Sequence, residues 1–480
     1  MDSKNKKLIF NTVIFFVGSI GSKFIQFFLV PLYTYSLNTA QYGVTEIVMT
    51  ASNVLMPVFS ISISDGLLRY GLDKDYKKDS VLKTALSILA IGTIISIVGI
   101  PVYLLYDGLK NWIFYFLLIT NLRIYRDFLA INLKINEKNI YFTIDSMVYT
   151  FSLCGFSIVF LTVLKLGIPG YFLAFVFANI ISIIFLIIVG RPIKTLQTAE
   201  IDKKLRKELF LYSLPMIVNG IAWWVITASD KFIIKGYLGE AKVGLYAVAA
   251  KLPTLISVFS GVFLQAWIIS AVTEYDSEAK TKFYSQVFEK YYCLLALAAA
   301  GLVAIIYPFM KIYVSKEFFS AWIFAPLLIT GAVYSGIFGF FVGIYAAAKN
   351  SINVTITTAI GALVNIVLNC FLIPRIGVMG AVIATYISWL TGSIIRIIDT
   401  RKIMKLNINY RLLLTLMILG LFQCICVISQ DYKIGFIISS LVVLCMLFSA
   451  RKPLLSIVQP LINKISKRMH HEQRNQKENT

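Results

Sequence analysis

The stretch Phe172–Gly190, FLAFVFANIISIIFLIIVG, runs for nineteen residues without a single charge. A helix of about 20 apolar residues, rising ~1.5 Å per residue, crosses a hydrocarbon core roughly 30 Å thick. The segment therefore reads as a membrane span, and Ser87–Leu105 and Ile434–Ala450 read the same way. Because such runs recur as far as position 450, the first apolar segment is not expected to be a cleaved leader ahead of a soluble remainder. Composition agrees: 58% of the 480 residues are apolar and 14% are charged, where a soluble chain carries about 25% charged residues.

Hydrophobic periodicity predicts about fourteen helices, near 10–32, 43–66, 83–105, 112–132, 140–164, 168–189, 209–229, 243–269, 286–307, 321–346, 351–372, 378–398, 411–428 and 433–450. An even number of spans puts both ends on one side, and the distribution of Lys and Arg identifies that side. One set of alternate connections, which includes both termini, carries thirty-four basic residues and the other nine, with Lys23 and Lys251 left inside helices. Cytoplasmic loops hold the excess of positive charge, so both termini are expected in the cytoplasm. The net charge of +21 is then a topology signal and not the basic face of a nucleic-acid binder. The basic stretch Glu200–Glu208 is expected to lie along the cytoplasmic face near anionic headgroups. The tail from Arg451, which holds His470 and His471, is expected to be solvated. The six cysteines, with no Cys-x-x-Cys pair, read as buried inert thiols.

The chain contains an internal echo. Trp112, Ile113, Phe114, Leu117, Leu118, Ile119 and Thr120 recur 210 residues later as Trp322, Ile323, Phe324, Leu327, Leu328, Ile329 and Thr330. Leu37, Ala40, Gly43, Val58, Phe59 and Ser60 recur at an offset of 200 to 201 as Leu238, Ala241, Gly244, Val258, Phe259 and Ser260. Both echoes imply a duplicated six-helix unit. Six is even, so the copies share one orientation about an axis along the membrane normal, an architecture suited to alternating access. The expected fold is all-α and polytopic: a six-helix bundle over 1–190, a cytoplasmic amphipathic linker over 191–208, a second six-helix bundle over 209–400, two further helices over 401–450, and a basic cytoplasmic tail over 451–480.

Three groups of residues carry a family resemblance. The first is Pro31, Leu32, Tyr33, Leu37, Tyr42 and Gly43; the second is Tyr212, Ser213, Leu214 and Pro215, then Asp230, Lys231, Phe232 and Ile233, then Val243, Gly244, Leu245 and Tyr246. The third comprises Asn365, Ile366, Asn369, Leu372, Ile373, Pro374, Gly377, Gly380, Ala381, Ile383, Ala384 and Thr385. In order and spacing these resemble polysaccharide flippases of the Wzx type, within the multidrug/oligosaccharidyl-lipid/polysaccharide (MOP) exporter superfamily. The resemblance spans the first twelve helices. It implies a bacterial cytoplasmic (inner) membrane protein that moves a polyprenyl-diphosphate-linked oligosaccharide, of O-antigen or capsule type, between leaflets. Polysaccharide polymerases and glycosyltransferases would be its working partners, and the cavity would be lined by the first, second, seventh and eighth helices.

An ionisable side chain at membrane depth costs roughly 2.5–3.5 kcal/mol on insertion scales, so each one calls for a reason. Lys23 and Lys251 read either as snorkelling ammonium groups or as cavity cations for a diphosphate. Arg69, Arg123 and Arg126 lie toward the cytoplasmic side, where guanidinium forks suit phosphate oxygens. Arg123 and Asp127, four apart on one helix face, are placed to neutralise each other, which leaves Arg126 without that carboxylate. Asp65, Asp145 and Asp230 fall near predicted helix ends, where capping is the default reading. Glu46 and Asp65 are the first candidates for a coupling ion. Asn219, Asn365, Asn369, Trp223 and Trp224 read as glycan contacts or as packing. The sequence offers no Walker loop, no metal-ligand cluster and no catalytic constellation, so neither a cofactor nor an enzyme is expected. The alternatives are a membrane polysaccharide polymerase or polyprenyl-phosphate glycosyltransferase, and a multidrug exporter of the same superfamily. The first of these would need a catalytic extracytoplasmic loop, and the longest ones expected, near 230–242 and 308–320, are short.

Overall fold

The computed structural model describes residues 27–429, 431–456 and 459, and among them there are helices and no strand. After helical residues 27–36 the long helices are α1 (Thr39–Phe59), α2 (Ile63–Gly71), α3 (Lys78–Val98), α4 (Ile113–Ile135), α5 (Asn139–Ser157), α6 (Gly167–Gly190), α7 (Lys203–Leu238) and α8 (Glu240–Lys251). They continue as α9 (Pro253–Thr273), α10 (Lys280–Ala304), α11 (Ala325–Ala347), α12 (Ser351–Ile376), α13 (Val378–Asp399), α14 (Tyr410–Ser429) and α15 (Tyr432–Ser449). Among the described residues ten helices are long and apolar enough to cross a membrane, or eleven if the bent pair α1–α2 forms one span. The chain is thus a multi-pass membrane protein. The expected tally of fourteen rests in addition on α4, on α7 and on the helix that precedes Leu37, whose first part lies outside the described residues. Ile94, Val98, Phe151, Val163, Ile188, Leu363, Ile418 and Leu444 are exposed; a surface this apolar suits lipid and not water.

The chain separates into two compact units. The first comprises residues up to Val248 with Lys311–Ser320 and Ile366–Ala381; the second comprises Ala249–Met310, Ala321–Asn365 and the chain from Val382. In the first unit α6 packs on α4 and α5, while α7 packs on α1, α2 and α3. A capping box starts α1: the Gln41 amide donates to Asn38 Oδ1 at 2.8 Å and the Asn38 amide to Gln41 Oε1 at 3.1 Å, which satisfies two end donors at once. In the second unit α11 lies along α9. Trp267 stacks on Phe340 there at 4.2 Å and donates its indole N–H to the Phe340 carbonyl at 2.8 Å. Gln423 ties α14 to α10 through the Ala300 carbonyl at 2.9 Å and to α15 through Ser439 at 2.5 Å.

The structure corrects several expectations. The single helix expected over 43–66 breaks by 50° between α1 and α2. Ile61 and Ser62 hold φ of 52° and 46° at the break, a left-handed conformation that is costly for a β-branched residue. The Ser62 amide recovers bonds to the Pro57 carbonyl at 2.9 Å and to Ser60 Oγ at 3.1 Å. The Phe59 carbonyl at this break faces Gly92 of α3, where a Cβ would stand 1.8 Å from the oxygen; only glycine allows this approach. The outer loop expected over 230–242 is helix except for Gly239, because α7 runs past position 229 to a glycine at φ 81°. The stretch 308–320 is likewise largely helical.

The linker expected over 191–208 divides. Pro192–Thr198 is a short helix, and Lys203–Glu208 form the first turns of α7, capped by Asp202, which accepts from the amides of Lys204 at 2.8 Å and Leu205 at 3.1 Å. A carboxylate at the N-cap satisfies two orphan donors and suits the positive end of the helix dipole. Arg396 lies inside α13 and is 1% exposed. All six cysteines are free thiols, but Cys370 and Cys445 are exposed and Cys154 is half-buried.

Candidate functional site

Arg123 lies about 15 Å along α4 from Ile113 by helical rise, near the middle of that 23-residue helix. Its guanidinium does not turn back to Asp127, as the four-residue spacing suggested. It crosses to α1, donating to Ser52 Oγ at 3.2 Å and to Asn53 Oδ1 at 2.8 Å. Asn53 is exposed, and Ser52 also accepts from Thr120 at 2.9 Å. Among the described residues Arg123 forms no ion pair with a carboxylate. A guanidinium held by neutral oxygens beside an exposed amide keeps its charge available for an anion that offers better acceptors.

Arg126, one turn further along α4, is the opposite case. Its NH2 pairs with Asp145 of α5 at 2.8 Å, its Nε donates to Ser182 of α6 at 2.6 Å, and its guanidinium lies 4.0 Å from the centre of the Tyr149 ring. Ser182 donates in turn to Asp145. The expectation of an uncompensated Arg126 is therefore corrected, as is that of Asp145 as a helix-end cap: its carboxylate is 1% exposed within α5. One buried ion pair joins three helices.

Arg69 and Asp65 come together on α2, lining with Leu68, Leu72, Tyr212 and Met216 a cavity of about 430 Å³ between α2 and α7. Both are exposed, and Arg69 pairs with Asp73 at 3.1 Å. Asp65 occupies the first turn of α2, where a carboxylate complements the helix dipole. Tyr70 stacks edgewise between Tyr76 and Tyr212 at 5.3 and 5.9 Å. Tyr76, in the connection beyond α2, donates to Glu208 at 2.7 Å; this carboxylate acceptor pushes its hydroxyl pKa up to about 12, so it stays protonated and donating at any physiological pH.

Glu46, expected as a coupling-ion site, is 4% exposed and pairs with Lys231 of α7 at 2.5 Å, with Thr50 3.4 Å from the same ammonium. Its charge is thus already balanced. Beside this pair Asp230 accepts from the Tyr246 hydroxyl of α8 at 2.5 Å and from the Asn369 amide of α12. The sequence reading puts Asp230 at a helix end and Lys231 in an outer loop, because it ends the helix at position 229, whereas both lie inside α7. The signal was present: no Gly, Pro or Asn interrupts the apolar spacing between Ile226 and Ile234. Lys251 ends α8, half-buried, and belongs to the second unit, as does buried Asn365. Lys23 lies outside the described residues, as do the side chains of Asn219, Trp223 and Trp224. Among the described residues no group of three or more His, Cys, Asp or Glu side chains is placed to hold a metal ion.

Comparison with known proteins places this geometry. A solved structure of "Lipid II flippase MurJ, inward closed conformation" is similar at a TM-score of 0.67 and 13% identity, covering 95% of this chain and 100% of that one. An inward-facing multidrug resistance MATE family transporter of the MOP superfamily is similar at 0.67 and 13% identity, over 79% of this chain and 94% of that one. An outward-facing structure of a MATE family transporter of the same superfamily gives 0.57 and 13%, over 82% and 93%. At such identity the likeness is one of fold, and the fold is that of the MOP transporters. No curated protein matches the sequence. The sequence profile of the polysaccharide biosynthesis protein family matches residues 8–269, more than half of the chain, and the protein belongs to that family.

Proposed function

We propose that the protein is a flippase that carries a polyprenyl-diphosphate-linked oligosaccharide from the cytoplasmic to the outer leaflet of the bacterial inner membrane by alternating access. The observation that carries this reading is Arg123, a guanidinium in the middle of α4 hydrogen-bonded to neutral acceptors, next to exposed Asn53. Diphosphate oxygens are stronger acceptors than the hydroxyl and amide that Arg123 now uses, and a charge-assisted hydrogen bond is worth about 1.5–3 kcal/mol. Arg69 and the α2–α7 cavity would receive the headgroup first, at the cytoplasmic mouth. The polyprenyl chain would stay in lipid along the apolar exterior. The protein then makes and breaks no bond; it lowers the cost of taking a charged headgroup across hydrocarbon. Membership of the polysaccharide biosynthesis family and the fold shared with a lipid II flippase support the same reading.

Deletion of the gene is expected to leave finished lipid-linked repeat units on the inner leaflet, detected by leaflet-specific labelling and mass spectrometry. Unpolymerised units already displayed outside would overturn the reading in favour of a polymerase. Direction depends on sidedness, with both termini in the cytoplasm. Reporter fusions at Asp107, Glu240 or Asp431 should register the outside, and fusions after Lys78 or Lys204 the cytoplasm. The reverse pattern would invert the direction of transport.

A further inference from the structure

The second sequence echo pairs Gly43 with Gly244, and in the first unit these two residues touch. A Cβ on Gly43 would stand 1.9 Å from the Glu240 carbonyl oxygen, and one on Gly244 would stand 2.1 Å from that of Thr39. Thr39 and Glu240 are the first residues of α1 and α8 and, though different in type, stand at the same offset of 201, so the contact is reciprocal: each copy of the motif meets the other through the same surface, as across a twofold axis. Only helices stripped of side chains at the crossing approach this closely, backbone to backbone through weak Cα–H···O contacts.

Charged layers flank the crossing on both sides. One turn inward along α1, Glu46 pairs with Lys231. One turn outward along α7, Lys235 pairs with Glu240 at 3.3 Å and faces the Tyr106 ring at 4.9 Å. Asp230 fastens α7 to α8 through Tyr246, so that α7 and α8 present their side of the contact as one piece. A permanent weld between helices is built more cheaply from interdigitated apolar side chains than from buried ions. Buried ions joined to a bare glycine crossing describe a contact that opens, because the separated charges regain water and no packed core has to be torn apart.

We infer that the Gly43–Gly244 crossing and the Glu46–Lys231 ion pair together form a latch on the face where α1 and α8 begin, which must part before cargo leaves on that side. The inference rests on the transport reading above, but its test does not use the glycan. Thr50→Cys places a thiol beside the latch, and labelling is measured in whole cells or right-side-out vesicles with a membrane-impermeant maleimide, over the background of the six native thiols. Glu46→Gln removes the ion pair and is expected to raise labelling roughly tenfold, the population change that ~1.4 kcal/mol produces. Gly244→Ala, which cannot close the crossing, should do the same by an independent route. The double variant Glu46→Leu, Lys231→Leu replaces ions with an apolar contact and should hold labelling at or below the parent level while blocking transport. Labelling that stays at the parent level in both Glu46→Gln and Gly244→Ala, with protein present in the membrane, overturns the latch. Labelling that follows the expected pattern in a strain whose lipid-linked glycan is distributed normally would support the latch and remove the cargo assignment instead.

Discussion

Arg123→Ala is expected to cut export of the lipid-linked glycan by about two orders of magnitude, as two charge-assisted hydrogen bonds of ~1.5 kcal/mol each would require, with the protein still in the membrane. The fold loses little. Ser52 keeps its bond from Thr120 at 2.9 Å, Asn53 is exposed, and among the described residues no ion pair is broken. Arg123→Lys keeps the charge but loses the planar fork, and should fall between parent and alanine variant. Surface glycan measured beside membrane-protein level checks the pair. Normal export from the alanine variant would remove Arg123 from the transport path, and with it the observation on which the proposed function stands.

Asp145→Ala should act on stability and not on transport as such. It strands the Arg126 guanidinium among α4, α5 and α6 with Ser182 and the Tyr149 ring as its remaining partners, and breaking a buried ion pair from one side costs about 3–5 kcal/mol. The expected result is a lower midpoint of thermal unfolding in detergent and less protein in the membrane. Arg126→Ala should do the same from the other side, so its loss of export would follow the loss of protein. Replacing both partners by apolar residues, Arg126→Met with Asp145→Leu, should recover most of the stability, since an apolar contact of similar volume is often as good as a buried ion pair. If Asp145→Ala unfolds at the parent temperature, the pair contributes nothing to the fold and Arg126 returns to the set of cations available for cargo.

These two arginines mark the limit of what the sequence discloses. Among the described residues apolar runs located the helices long enough to cross hydrocarbon, because that length is a physical constant of the bilayer, but not the break between α1 and α2 or the true end of α7. The echoes around Trp112 and Gly43 singled out residues that the structure uses: Trp112 is the N-cap of α4 and Trp322 lies in the short 3-10 helix that leads into α11, Thr120 and Thr330 each bond back to the carbonyl four residues earlier, and Gly43 meets Gly244. Charge partners were not legible. Arg123 and Arg126 are three residues apart on one helix, and nothing local tells which meets a carboxylate; that depends on Asp145 and Ser182, brought in from two other helices. Lys231 was hidden for a different reason. Charged residues in an apolar chain read as loop, and Asp230 and Lys231 continue a helix because each finds a partner across the fold.

Arg396 sits where α11, α12 and α13 meet in the second unit, and among the described residues no carboxylate bonds its guanidinium. Its Nε reaches Thr357 at 3.0 Å, NH1 the Phe338 carbonyl at 2.7 Å, and NH2 Thr358 at 2.9 Å and the Val354 carbonyl at 3.3 Å, with the Phe338 ring 3.3 Å beneath. Acid discharges none of these partners of Arg396, and dissolved salt has no counter-charge among them to displace. The guanidinium's own contacts should therefore persist across swings of acidity and ionic strength, whereas Asp399, one turn further along α13, ties Tyr345 of α11 and Asn353 of α12 at 2.7 and 2.8 Å through a carboxylate that acid can discharge.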